Sequence, residues 1–323
     1  MAPAPQQAAA SPPVLVIAGP TGSGKSALAI DVARAFAGTV INADSAQVYR
    51  ELRILSARPS AADEALVPHR LYGVLPAAEA GSVGRWLRLA WAEIEQAWGE
   101  SRLPVVVGGT GLYLKALIDG LSDVPEVPDP VRDAAAALFE RLGEADFRVH
   151  LRGCDAAAES RIRRGDRQRL IRALAVQSAT GTPLAEWQRQ RPPAPTHAAR
   201  YATVALLPPR PALYARLDAR LQAMIAEGGL TEVKALLAAG LDPNLPALKA
   251  VGVRQLASYV RGETTYEAAL AAAQQETRRL AKRQMTWLRH QLGIDKAVCE
   301  QYSASVRDGI FAFIRQFLLT PGA

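Results

Sequence analysis

Cysteine is scarce in this chain. Cys154 and Cys299 are its only two among 323 residues. They lie far apart in sequence and match no metal-ligand spacing, which favours two reduced thiols in a cytosolic protein. Long hydrophobic runs are missing as well: no stretch stays apolar for the ~18 residues that a membrane span needs, so no membrane partner is expected. Met1–Pro13 is rich in Ala, Pro and Gln, lacks an apolar run, and reads as a disordered tail rather than a signal peptide. Internal repeats are absent too. What remains is a chain with 49% hydrophobic residues, enough for a sizeable core, and a net charge of +7 from 38 basic and 31 acidic residues. Its length suits one large α/β domain carrying an insertion, or two domains. A modest positive excess suits a polyanionic partner without proving one.

The most informative segment is Gly19-Pro20-Thr21-Gly22-Ser23-Gly24-Lys25-Ser26, which fits G-x-x-x-x-G-K-[ST]. Before it, Val14–Ala18 is a short apolar, β-branched run that reads as a buried strand. After it, Lys25–Ala37 reads as a helix with Leu28, Val32 and Phe36 on one side. Strand, loop and helix therefore agree, and a chance glycine-rich turn is a poor explanation. The glycines permit tight turns that aim amide N–H groups at one anion. The helix start adds roughly half a positive charge. Lys25 is a point charge for phosphate oxygens, and Ser26 can place a hydroxyl on Mg²⁺.

Thr39–Asn42 reads as the next strand, so Asp44 of Asp44-Ser45-Ala46-Gln47-Val48-Tyr49 falls just past its end. Ligands of open α/β sheets gather outside the carboxyl ends of strands, which puts Asp44 beside the phosphate loop. A carboxylate there can act as a general base or hold Mg²⁺ through water. Ser45, Gln47 and Tyr49 carry groups suited to a base edge or a ribose. A helix cap by Asp44 or Ser45 is the structural alternative. Leu103–Val107 reads as a further buried strand, ending in Gly108-Gly109-Thr110, with Thr110 also placed to cap the helix that follows. Tyr113 on that helix reads as packing.

Taken together these segments resemble the tRNA dimethylallyltransferases (tRNA isopentenyltransferases) of the bacterial MiaA type. The resemblance rests on Gly19–Ser26, Asp44–Tyr49, Ala57-Arg58-Pro59, Pro68-His69-Arg70-Leu71 and Gly108–Tyr113. It continues through Asp166–Leu174 and Leu280–Trp287, in family order from about Val14 to His290. The phosphate loop alone is unspecific, whereas its combination with D-S-x-Q-x-Y and G-G-T-x-x-Y is highly specific. The resemblance implies an α/β fold with a P-loop NTPase-like parallel sheet core and a helical insertion domain. It implies transfer of a dimethylallyl group from dimethylallyl diphosphate to N6 of adenosine 37 in tRNAs that read codons starting with U, with Mg²⁺ as cofactor and a monomeric, cytoplasmic enzyme.

Roles follow residue by residue. Asp44, Thr110 and Lys25 are the catalytic candidates. Gly19, Pro20, Thr21, Gly22, Ser23, Gly24, Lys25 and Ser26 are the candidates for the diphosphate, joined by Arg216 and Arg220 from the family's R-x-[DE]-x-R-x-x-x-M. These two arginines lie four apart on one helix face, where like charges need an anion or carboxylate between them. Candidates for tRNA contact are Asp44, Ser45, Ala46, Gln47, Thr110, Arg132, Gln168, Arg169, Leu170, Ile171, Arg172, Lys249, Ala250, Val251, Gly252, Val253 and Arg254. His69 matches a family position near the site. Departures from the common pattern stand at Gly73, Leu55, Ser56 and Val253.

The charge distribution is compatible with that reading. Arg161, Arg163, Arg164, Arg167, Arg169 and Arg172 crowd a stretch with few acids, and Arg278, Arg279, Lys282, Arg283 and Arg289 form a second cluster. Such clusters suit an RNA backbone or a solvated helix face. Pro125–Pro130 and Pro192-Pro193-Ala194-Pro195 bracket a helical stretch, giving a core over 14–124 and 196–323 and an insertion over 125–195 that grips the anticodon stem-loop in the family. Thr264-Thr265-Tyr266-Glu267 reads as a capping box opening a helix toward Leu292, with Ala281, Met285, Leu288 and Leu292 facing the core and Trp287 packing. The segment around Ile310, Phe313, Ile314 and Phe317 reads as a helix docked on the core. A small-molecule P-loop kinase would share only the first loop. An adenylate isopentenyltransferase would share the chemistry but have little use for the arginine-rich insertion. A non-enzymatic RNA-binding module would need neither the phosphate loop nor Asp44.

Overall fold

Short β-branched runs form the strands, and the longer Ala- and Leu-bearing segments between them form the helices. In a computed structural model, residues 11–122, 124–189 and 198–320 are described. The N-terminal tail up to residue 10 and the prolines at 192–195 lie outside the described residues. Two compact units result, one within Met1–Ile118 and His197–Ala323 and the other within Asp119–Thr196.

The larger unit begins with β1 (Pro13–Ala18), α1 (Lys25–Ala35), β2 (Gly38–Asn42), α2 (Ala61–Leu66), β3 (His69–Arg70), α3 (Val83–Gly99), β4 (Leu103–Gly108) and α4 (Gly111–Asp119). The insertion supplies α5 (Asp129–Arg152), α6 (Ala156–Arg161), α7 (Arg167–Thr180) and α8 (Leu184–Arg189). The chain then returns through β5 (Arg200–Leu206), α9 (Arg210–Met224), a π turn at Ile225–Gly229, α10 (Leu230–Ala238), a 3-10 turn at Ala247–Lys249, α11 (Val253–Val260), α12 (Tyr266–Gln291), β6 (Lys296–Val298) and α13 (Ala304–Leu319).

Among the described residues one six-stranded sheet runs in the order β3-β2-β4-β1-β5-β6, and every pairing is parallel. Parallel sheets need cover on both faces, and the alternation along β1 supplies it. Val14, Val16 and Ala18 join a core with Trp86 and Ile94 of α3 and Leu114 and Leu117 of α4. Leu15 and Ile17 join the opposite core, with Leu28 and Val32 of α1 and Ile310 and Ile314 of α13. Each large side chain buried this way contributes roughly 1.5–3 kcal/mol. Because all strands run the same way, Ala18, Asn42 and Gly108 end on one edge of the sheet, and β2, β4 and β1 are neighbours there.

Two boundaries differ from the sequence expectation. Helix α1 stops at Ala35, before Phe36, which meets Phe311 edge-on at 5.4 Å instead of extending the helix. Helix α12 is capped by Thr265, whose hydroxyl accepts from the Ala268 amide, so the pair Thr264–Glu267 forms no capping box. The insertion has its own core of Phe147, Leu151, Leu170, Ala173 and Val176. Its helix α5 is broken at Gly143, where φ is 71°. No helix among the described residues is long and apolar enough to cross a membrane.

Candidate active site

The phosphate loop leaves β1 and turns into α1 through Gly24, whose φ of 89° would strain any other residue. Gly22, with φ 78°, lies against Leu217 of α9, and a Cβ there would sit 2.7 Å from that side chain. Helix α9 thus packs on the loop and carries Arg216 and Arg220 beside it. The Lys25 ammonium donates to the Pro20 carbonyl at 3.3 Å, across the loop from its own backbone. Ser23 Oγ is buried in the loop without a protein partner. The amides at the free first turn of a helix are donors suited to an anion. Two contacts here were not legible in the sequence. The Tyr302 amide donates to the Ser23 carbonyl at 3.3 Å and the Tyr302 hydroxyl donates to Asp31 of α1 at 2.6 Å, bracing the loop from behind.

Asp44 sits in a tight turn two residues beyond β2. Its Oδ1 accepts from the Ala46 amide at 2.9 Å, and no helix starts there, so neither Asp44 nor Ser45 is a helix cap. Fully buried Asn42 fixes the turn: Oδ1 accepts from the Asp44 amide at 2.9 Å, and Nδ2 donates to the carbonyls of Asp44 and Leu71, each at 3.1 Å. Gly108 brings the neighbouring strand end against this turn, since a Cβ on it would lie 2.1 Å from the Ala43 carbonyl. Thr110 follows, and its hydroxyl accepts from the Ser45 amide at 2.9 Å. Although Thr110 stands at the start of α4, its side chain serves the Asp44 turn rather than the helix.

The side chains between these loops feel one another electrostatically. Burial lowers the Lys25 ammonium from 10.5 to about 8, with Asp44 pulling it up and Arg220 pushing it down. Burial also lowers the Arg220 guanidinium, helped by Arg216 and opposed by Asp44. The Tyr72 phenol is pushed up by burial and then by Asp44, and the Tyr113 phenol by burial, then Tyr49, then Asp44. Lys25, Arg220 and Asp44 therefore share one neighbourhood, and Arg216 extends its positive side into solvent. A carboxylate facing a cationic anion nest is the arrangement required to take a proton at one end of a bond while stabilising departing negative charge at the other.

Known proteins resemble this chain in sequence and in fold. A family model described as "IPP transferase" matches residues 47–291, and one described as "Isopentenyl transferase" matches residues 12–74. The chain belongs to the IPP transferase family. It is 57% identical over 281 residues to the tRNA dimethylallyltransferase of Phenylobacterium zucineum, covering 87% of this chain and 91% of that one. It is 51% identical over 314 residues to that of Rhodospirillum rubrum, covering 96% of each. Among solved structures it is similar to a tRNA isopentenylpyrophosphate transferase from Bacillus halodurans, with a TM-score of 0.69 at 29% identity over 95% of this chain and 96% of that chain. A eukaryotic dimethylallyltransferase solved in action on tRNA gives a TM-score of 0.72 at 26% identity, over 86% and 70% of the two chains.

For this member of the IPP transferase family, the remaining sequence candidates divide by exposure. Tyr49 is buried, its hydroxyl accepting from the Gly81 amide at 3.1 Å, so it packs rather than meeting a base. Gln47 donates to the Ser56 and Ala57 carbonyls, both at 2.9 Å. His69 lies in edge strand β3, its Nδ1 2.9 Å from the Val67 carbonyl and its ring edge-on to Tyr72 at 5.6 Å. Arg132, Gln168, Arg169 and Arg172 are exposed on the insertion, whereas Leu170 and Ile171 are buried in its core. Although Arg172 is exposed as a residue, partial cover of its guanidinium and the charge of Arg132 both lower it, so these two candidates stand close together. Lys249 and Arg254 are exposed, Ala250 and Val251 half-buried, and Gly252 and Val253 buried. In the second arginine cluster, Arg278 is paired with Asp218 at 2.6 Å and Arg283 with Glu276 at 3.0 Å.

The departures from the family pattern also find a physical place. A Cβ at Gly73, where φ is 60°, would lie 2.1 Å from Arg58 Nη1, so the Arg58 guanidinium occupies the space a larger residue would need. Leu55 packs into the core, and its amide with those of Arg53 and Ile54 donates to the Glu232 carboxylate of α10 at 2.5–2.9 Å. Sequence reasoning gave no role to Glu232. A glutamate three residues after a Gly-Gly pair offered no signal of it.

Proposed function

We infer that this chain transfers a dimethylallyl group from dimethylallyl diphosphate to N6 of adenosine 37 in tRNA. The observation that carries this is the meeting of the phosphate loop, the Asp44 turn and Thr110 at the ends of three adjacent strands. Lys25 and the loop amides receive the diphosphate, with Arg220 and Arg216 completing the positive side. The extruded base comes to the Asp44 side, at a cost that is smaller in a loop than in a duplex. The N6–carbon bond forms and the carbon–oxygen bond to diphosphate breaks, with the diphosphate leaving into the loop. An exocyclic adenine amine is a weak nucleophile, since its lone pair is delocalised, and Asp44 accepts the proton that this nitrogen sheds. Thr110 holds the Asp44 turn in place through the Ser45 amide.

Mg²⁺ fits the residues present. The described residues hold no group of three His, Cys, Asp or Glu that could cage a metal, but Ser26 offers an exposed hydroxyl at the start of α1. Mg²⁺ is commonly held by one or two protein oxygens plus substrate phosphates. Bound there, it would neutralise charge on the diphosphate. The exposed arginines of the insertion take the anticodon stem-loop through its phosphates, which makes affinity salt-dependent. The enzyme works as a monomer in the cytoplasm, where its RNA substrate is.

One assay tests the assignment: purified chain, labelled dimethylallyl diphosphate, Mg²⁺, and unmodified tRNA, AMP or ATP as acceptor. Label is expected in tRNA alone. Label in AMP or ATP would replace this reading with cytokinin synthesis. Consumption of ATP against a small hydroxyl acceptor, without use of the allylic diphosphate, would replace it with kinase chemistry.

A further inference from the structure

Gln284 lies on α12 in the middle of an apolar stripe, between Ala281, Met285 and Leu288, and is 8% exposed. A primary amide in such a stripe is costly unless both of its ends are bonded, and an aliphatic residue would pack there without that cost. Both ends are bonded. Gln284 Oε1 accepts from the Thr21 amide of the phosphate loop at 2.9 Å, and Nε2 donates to the Gly109 carbonyl at 3.1 Å. Gly109 makes room for it, since a Cβ at that position would lie 2.3 Å from Nε2 and 3.0 Å from the Gly19 carbonyl.

Two consequences follow. The Thr21 N–H points at α12, and the Ser23 N–H turns back to the Pro20 carbonyl at 3.2 Å, so the orientation of the loop's first half is set by a side chain from the far end of the chain. In addition, Gly109 precedes Thr110, which holds the Ser45 amide beside Asp44. The two hydrogen bonds of Gln284, the Gly109–Thr110 peptide link and the Ser45–Thr110 hydrogen bond therefore connect the loop that receives the leaving group to the turn that carries the proton acceptor.

We propose that Gln284 is a positioning residue that sets the spacing between the diphosphate nest and Asp44, an inference that rests on the transferase reading above. Its removal lowers the rate of transfer more than the binding of either substrate, because reaction rate depends steeply on the relative placement of the two ends.

Three variants test it: Gln284→Met, which keeps the volume and removes both bonds; Gly109→Ala, which displaces the amide; and the double variant. For each, kcat and KM for dimethylallyl diphosphate are measured at saturating tRNA, with tRNA retention and amide exchange over the phosphate loop. Gln284→Met is expected to lower kcat about 10- to 100-fold, the scale set by leaving buried polar partners unpaired. KM and tRNA retention should stay within a few-fold, and exchange at Thr21 should accelerate at least about tenfold. The double variant should lose no more than the worse single one, as two cuts in one link are not additive. A kcat for Gln284→Met within about twofold of wild type, additive losses, or Thr21 exchange unchanged would overturn the proposal. The exchange measurement does not depend on turnover, so it judges the link even if the wild-type chain failed to prenylate tRNA, an outcome that would overturn the transferase reading instead.

Discussion

Lys25 provides the most quantitative prediction. Its ammonium lies at about 8 instead of 10.5, chiefly because it is buried. That displacement corresponds to about 3 kcal/mol of disfavour for the charged form in the free fold. The sign is that of a buried base. The fold penalises the charge, so this group costs stability most below pH 8, and the cost fades as pH rises from 8 toward 10.5. Donor binding runs the opposite way, since a diphosphate needs the proton in place. At pH 7 about nine-tenths of the free enzyme is ready, and kcat/KM for dimethylallyl diphosphate should be nearly flat with respect to this group. Above pH 8 it should fall, approaching tenfold per pH unit. The fall should level at about 10- to 150-fold, the equivalent of a charge-assisted hydrogen bond of roughly 1.5–3 kcal/mol. Steady-state assays from pH 6.5 to 9.5 at saturating tRNA measure it, with Lys25→Arg as control. The guanidinium stays charged throughout, so that variant should have a lower ceiling and no alkaline limb. A flat wild-type profile, or the same limb in Lys25→Arg, would refute the argument.

Other perturbations separate the remaining roles. Thr110→Val removes the acceptor for the Ser45 amide and should lower kcat about tenfold or more, whereas Thr110→Ser should stay near wild type; equal rates for the two would remove Thr110 from the account. Arg169→Ala and Arg172→Ala should weaken tRNA retention and flatten its salt dependence by about one unit of slope for each phosphate no longer neutralised. Leu170→Ala, buried one residue away, should instead lower the unfolding midpoint, with a loss of about 3–5 kcal/mol and no change in salt slope. A salt slope that moved with Leu170 and not with Arg172 would reverse the division between core and RNA surface.

The contiguous parts of the site are legible in the sequence. Strand, glycine loop and helix come one after another from Val14 to Ala35, and Asp44 and Thr110 are marked by the strand ends before them. Local pattern suffices when the chemistry depends on neighbours in the chain. It fails where contacts join distant segments. Gln284 is 263 residues from Thr21, and its place in the stripe of α12 is the available signal: a polar residue among buried positions demands partners. Asn42 reads from sequence as the last residue of a strand, although its amide orients Asp44. Leu170 and Ile171 count among the RNA candidates because they sit within an arginine-rich motif, but helical periodicity turns them into the insertion core. Tyr49 fails as a base contact for a similar reason, since a motif position gives no information on which way a side chain faces.

The central claim is that the carboxyl of residue 44 takes the proton from the acceptor nitrogen while the phosphate loop holds the leaving group. Asp44→Asn keeps an oxygen for the Ala46 amide and removes the base. Labelled transfer into unmodified tRNA should fall about 10²- to 10⁴-fold, the usual contribution of a general base, while filter retention of tRNA stays near wild type. Transfer at the wild-type rate by the Asn variant would contradict the account.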